Sequence, residues 1–126
     1  MSIIVSCGNN TSNENTKENV ISKDLKATDF EALIAENQAL QLVDVRTWEE
    51  YSTGHLTKSI NMDFNKENFK EMLSTLDKSK PIAVYCKAGG RSEKAKRMLI
   101  EMGFKEVYNM EGGILEWQSQ GLPLEK

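Results

Sequence analysis

At 126 residues with 39% hydrophobic content, the chain has enough apolar side chain for one core and too little for two. A formal net charge of −3 is too mild to argue for nucleic acid or an acidic membrane surface as a partner. One histidine, no CxxC and two cysteines in unlike contexts, Cys7 and Cys86, leave no metal cluster, no other cofactor and no structural disulfide to expect, and no stretch approaches membrane-spanning length.

Residues 8 to 23 are Asn, Ser, Thr, Lys and Glu with few apolar side chains between them, so they lack surface to bury. Order is expected to begin near Leu25, leaving residues 1–24 as a disordered tail and residues 25–126 as one domain. Thr28-Asp29-Phe30-Glu31 has capping-box form, and Phe30, Leu33 and Ile34 lie on one helical stripe. Leu40 to Val45 reads as a strand. Thr47-x-x-Glu50 is a second capping box, opening a short helix that Gly54 should stop. A brief strand is expected at Ser59 to Met62 and a helix at Lys66 to Leu76, with Phe69, Met72, Leu73 and Leu76 inward. Then come an apolar β-branched strand at Ile82 to Tyr85 and a helix from Arg91 to Met102 ended by Gly103. A strand at Glu106 to Asn109 and a last helix from about Gly113 to Gln120 complete the chain. Strands alternating with helices imply an α/β fold with a largely parallel sheet flanked by helices.

The segment between the Ile82 strand and the Arg91 helix carries the chemistry. It reads Cys86-Lys87-Ala88-Gly89-Gly90-Arg91-Ser92, a thiol at a strand end followed by glycines, a cation and a hydroxyl. Loop N–H groups and the positive end of the next helix should converge on that sulfur and favour its thiolate. An inert buried cysteine is the plain alternative, but a packing residue needs neither φ-permissive neighbours nor an arginine beside it. The Cys-x4-Arg spacing is one residue shorter than the Cys-x5-Arg loop of tyrosine phosphatases. It encircles a volume suited to a sulfur atom rather than a phosphoryl group.

Tyr85-Cys86-Lys87-Ala88-Gly89-Gly90-Arg91-Ser92 resembles the active-site loop of the rhodanese (sulfurtransferase) family. Upstream, Asp44-Val45-Arg46 with Glu50-Tyr51 and Gly54-His55-Leu56 resembles the family's Asp-Val-Arg…Glu-Tyr…Gly-His-Ile segment. Downstream, Gly112-Gly113-Ile114-Leu115-Glu116-Trp117 with Gly121-Leu122-Pro123 resembles its ending. Three ordered motifs over residues 25 to 125 carry the resemblance. One departure is visible: where the family usually has Pro-Gly-Ala, this chain has Thr57-Lys58-Ser59.

The resemblance implies a rhodanese-like three-layer sandwich and a monomeric enzyme with Cys86 as nucleophile. Cys86 would take the outer sulfur of a small donor such as thiosulfate, become a persulfide and pass the sulfur to cyanide, a cellular thiol or a protein acceptor. Amides from Lys87 to Ser92 would hold the persulfide, with Lys87 and Arg91 attracting the anionic donor. Asp44 and Arg46 read as a supporting network with Glu50, His55 as structural, and Trp48 and Trp117 as packing residues. The alternatives are a persulfide carrier, a non-catalytic binding module and, on the same fold, a phosphatase or arsenate reductase. Ile4-Val5-Ser6-Cys7 resembles the lipobox of bacterial lipoproteins. If the N-terminus is a shortened signal peptide, that resemblance implies lipidation at Cys7, the polar tail as a tether, and a place at the bacterial envelope on the periplasmic side; the alternative is the cytoplasm.

Overall fold

The computed structural model describes residues 19–126, so the Cys7 reading and most of the polar tail lie outside the described residues. Five strands form one sheet in which every pairing is parallel. In chain order the elements are β1 (Ile21–Leu25), α1 (Ala27–Glu36), β2 (Gln41–Asp44), α2 (Trp48–Ser52), β3 (Ile60–Asn61), α3 (Phe69–Leu73), β4 (Ile82–Tyr85), α4 (Gly90–Glu101), β5 (Glu106–Met110) and α5 (Gly113–Ser119). The spatial order is β1-β5-β4-β2-β3, with β4 at the centre.

Alternation along the strands builds two cores. Val43, Val45, Ile82, Val84, Cys86 and Val107 face Phe69 and Leu73 of α3 and Ala95 and Leu99 of α4. Leu42, Ala83, Tyr85, Tyr108 and Met110 face Ala27 and Phe30 of α1 and Ile114 and Trp117 of α5. Helices thus cover both faces, the three-layer sandwich expected, and β4 is buried along its whole length.

Several boundaries differ from the sequence expectation. Order does not wait for Leu25, because Ile21–Leu25 is an edge strand paired in register with Glu106–Met110. Its first four residues are exposed, so it has no apolar alternation to betray it. The structure ties it down instead through the β5 ladder and through Asp24, whose carboxylate accepts from the Lys96 ammonium and the Asn109 amide. The Thr28 capping box does not form. Helix α1 starts two residues earlier than that box would set it, at Ala27 with Lys26 as the cap position and no side-chain cap from its own neighbours, and the Ala27 N–H donates to Glu116 of α5 at 3.1 Å. Helix α3 is shorter than Lys66 to Leu76, its flanks being closed by turns such as Phe69 N–H to Lys66 O and Leu76 N–H to Leu73 O. The Thr47 capping box is present as read, with the Thr47 hydroxyl accepting from Glu50 N–H and the Glu50 carboxylate accepting from Thr47 N–H.

The chain leaves β2 toward the edge strand β3, then returns across β2 to β4. That reversal opens a crevice beyond the carboxyl ends of β2 and β4, where open parallel sheets bind ligands. Asp44 ends one of these strands and Cys86 follows the other.

Candidate active site

Cys86 lies at the end of the central strand, 1% exposed. The chain turns through Gly89, whose φ of 106° belongs to the left-handed region, and enters α4 at Gly90. This turn points donors at the sulfur. Sγ accepts from the Gly89 N–H at 3.1 Å, the Ser92 N–H at 3.5 Å and the Ser92 hydroxyl at 3.4 Å. Burial alone would push the thiol up. The donors outweigh it, Ser92 first through hydroxyl and amide and then the Gly89 and Ala88 amides, and hold Cys86 below the usual thiol range. The first turn of a twelve-residue helix adds its dipole on the same side. The cradle shifts the balance toward the thiolate.

The loop is clamped from outside as well. A Cβ on Gly89 would collide with the Glu111 carbonyl, and one on Gly113 (φ 67°) would collide with the Lys87 carbonyl. Ile114 N–H donates to the Cys86 carbonyl at 2.9 Å and Leu115 N–H to the Lys87 carbonyl at 3.2 Å. Gly113 was not among the candidate residues read from sequence. Its role emerges only when the start of α5 is seen against the thiol loop.

Arg91 does not stand open as an anion fork. Its guanidinium is closed on Glu50 by two bonds, Nη1 to Oε1 at 2.8 Å and Nη2 to Oε2 at 3.1 Å. Arg91 foremost, with the Thr47 amide and hydroxyl, draws Glu50 down to about 2 from 4.5. Asp44 and Arg46 form a separate buried pair, Arg46 Nη2 to Asp44 Oδ2 at 2.7 Å, and the same Nη2 reaches the Gly54 carbonyl at 2.7 Å. The single Asp–Arg–Glu network expected from sequence is therefore two pairs: Asp44–Arg46 orders the β2 exit, and Glu50–Arg91 ties α2 to the thiol loop. Lys87 is exposed, and among the described residues no carboxylate lies within ion-pair distance of it.

Beside the loop is a cleft of about 220 Å³ whose walls include Arg46, Glu50, Lys87, Leu115, Gln118 and Leu124. His55 stacks on Tyr51 with ring centroids 3.9 Å apart, and its backbone bridges to Glu125. Trp117 is buried and donates to the Pro123 carbonyl. Trp48, expected to pack, is instead 62% exposed and leans on Tyr51.

With this geometry the family comparison is decisive, because the rhodanese-like domain family matches residues 26–120. The chain belongs to the rhodanese-like domain family. Its similarity to a rhodanese-related protein from Thermoplasma volcanium is 30% identity at a TM-score of 0.72, covering 82% of this chain and 97% of that one. A polysulfide-sulfur transferase homodimer from Wolinella succinogenes is similar at 32% identity and a TM-score of 0.69, over 89% of this chain and 82% of that one. The tRNA uridine(34) hydroxylase of Sodalis glossinidius is 41% identical over 110 residues, which is 79% of this chain and 30% of that protein. The Yersinia pestis (strain Pestoides F) protein of the same name is 38% identical over the same share. This rhodanese-like chain thus spans 30% of the length of these curated relatives.

Proposed function

We propose that this chain is a sulfurtransferase that carries sulfane sulfur as a persulfide on Cys86. The observation that supports it most is the convergence of the Gly89 and Ser92 donors on a thiol held below its usual pKa range. The Cys86 thiolate attacks the outer sulfur of a donor, the donor's S–S bond breaks, and the leaving group departs with the bonding pair; from thiosulfate that group is sulfite. A thiol or cyanide then attacks the outer sulfur of the persulfide, and the Cys86 thiolate is regenerated. Splitting the transfer into two displacements at one sulfur predicts ping-pong kinetics. The loop amides stabilise the anionic sulfur in both states without reorganising.

The polysulfide-sulfur transferase from Wolinella succinogenes supports the chemistry at family level. The hydroxylase name belongs to proteins of which this chain matches 30%, and the thiol cradle favours sulfur transfer. Incubation with an excess of thiosulfate or another sulfane donor should add the mass of one sulfur atom at Cys86. Cys86→Ser should abolish both that gain and turnover while leaving the fold intact, because a serine alkoxide is inaccessible near neutral pH. Turnover surviving in Cys86→Ser would move the chemistry elsewhere, and aryl-phosphatase activity in the wild type would replace this reading with a phosphatase.

A further inference from the structure

The charges around the thiol determine which donor the site can stabilise, an inference that rests on the sulfur-transfer reading above. Two of its three cations are already neutralised: Arg46 lies on Asp44 and Arg91 on Glu50, each through two hydrogen bonds or more. Lys87 is the cation without a carboxylate partner among the described residues. Against it stands the Cys86 thiolate, held in the loop directly before Lys87. With the thiolate formed, the mouth has no net positive charge left for a dianion. The neighbouring wall is partly apolar, with Ile114, Leu124 and the 49% exposed Leu115 beside Gln118.

The geometry points to a small thiol-borne persulfide, R–S–SH, as the sulfur donor, in preference to a dianion such as thiosulfate. The Cys86 thiolate attacks the outer sulfur, Cys–S–SH forms, and the S–S bond of the donor breaks. The electron pair leaves on R–S⁻, and the proton stays on the transferred sulfur. The exchange needs no added oxidant or reductant. With the outer sulfur protonated and R of no net charge, as in cysteine persulfide, the whole transition state carries a single negative charge, which the loop amides and Lys87 match. With thiosulfate the same transition state carries three, against the same donors. The R group lies along the Leu115–Leu124 wall of the cleft, and Gln118 offers it an amide.

The test uses a Cys7→Ser background, so that Cys86 is the single thiol, and measures loading rates by quenched intact mass. Cysteine persulfide should load Cys86 about tenfold or more faster than thiosulfate at equal concentration, as expected when a charge-assisted interaction is matched in one donor and lacking in the other. Thr53→Lys adds a cation on an exposed residue of the cleft wall, and Glu50→Gln releases Arg91. Both should narrow that ratio toward thiosulfate, with melting curves confirming the fold. Should Glu50→Gln unfold, Thr53→Lys alone decides. Equal or faster loading by thiosulfate in the unmodified site overturns the inference and leaves sulfur transfer standing. A ratio that does not respond to the added cation also overturns it, as does a mass gain of a whole cysteine, which reports attack on the inner sulfur. Loading by neither donor overturns the sulfur-transfer reading itself.

Discussion

At the scale of single residues, Ser92 is the most informative partner of the nucleophile. Its hydroxyl is 3.4 Å from Cys86 Sγ and 3.2 Å from the Gly89 carbonyl, so its one proton is drawn to the sulfur once the sulfur is anionic. Ser92→Ala removes a donor that lowers the thiol pKa, so the pKa rises and less thiolate is present at neutral pH. Alkylation of Cys86 by iodoacetamide should therefore slow at pH 7, and its midpoint should move to higher pH; an unchanged midpoint would remove Ser92 from the cradle. Lys58 presents the opposite case, a residue in a place that suits it poorly. It has a φ of 72° in a turn closed by Ser59 N–H to the Leu56 carbonyl, at the third of the four turn residues. Glycine is the family's usual residue at this point. Lys58→Gly should raise stability by about 0.5–1 kcal/mol, the left-handed strain relieved exceeding the extra chain entropy lost on folding. Urea unfolding measures this, and a loss of stability would show that the lysine stem packs usefully.

Elements were legible in the sequence where the signal was local. The Thr47 box, the apolar β4 strand and the Gly-Gly-Arg-Ser entry to α4 needed no distant partner, and all three stand in the structure. The start of α1 was not legible, because its first amide is satisfied by Glu116 from 89 residues away. The same holds for Arg91: a guanidinium beside a nucleophile reads as an anion receptor, and only the fold brings Glu50 to it. That ion pair joins α2 to the thiol loop, and pH should report it. Glu50 sits at about 2 in the folded protein against 4.5 for the free group, so the native state binds its proton less readily than the unfolded state. Its contribution to stability is fully present above pH 4.5 and is lost as the pH falls toward 2. Wild type should melt higher than Glu50→Gln near pH 6, and the two curves should approach each other by pH 3. A gap that stays constant across this range would mean the carboxylate is not held by Arg91.

For the whole molecule, the boundary of the family match and the boundary of the folded unit differ. The match begins at residue 26, yet Ile21–Leu25 forms the outer strand beside β5. This strand is illegible in the sequence because its exposed residues carry no pattern of their own; its register comes from β5. Cutting the chain at Lys26 would bare the β5 edge and leave the Lys96 ammonium, 9% exposed, without Asp24. Glu93, at 3.3 Å, would remain as its partner. The truncated chain should lose about 1–3 kcal/mol of stability, read as a lower urea midpoint, and retain the thiol cradle. Equal midpoints would make the first strand dispensable.

Because every strand runs the same way, the two ends of the described chain meet the site unequally. Ile21 enters the sheet at the pole opposite the thiol loop, whereas Leu124 forms part of the cleft wall and Glu125 is hydrogen-bonded to His55 in both directions. A purification tag or fused carrier placed ahead of Ile21 therefore approaches from the back of the molecule. The same addition after Lys126 hangs at the entrance, where it can shade the cleft or hold a tethered sulfur source within reach.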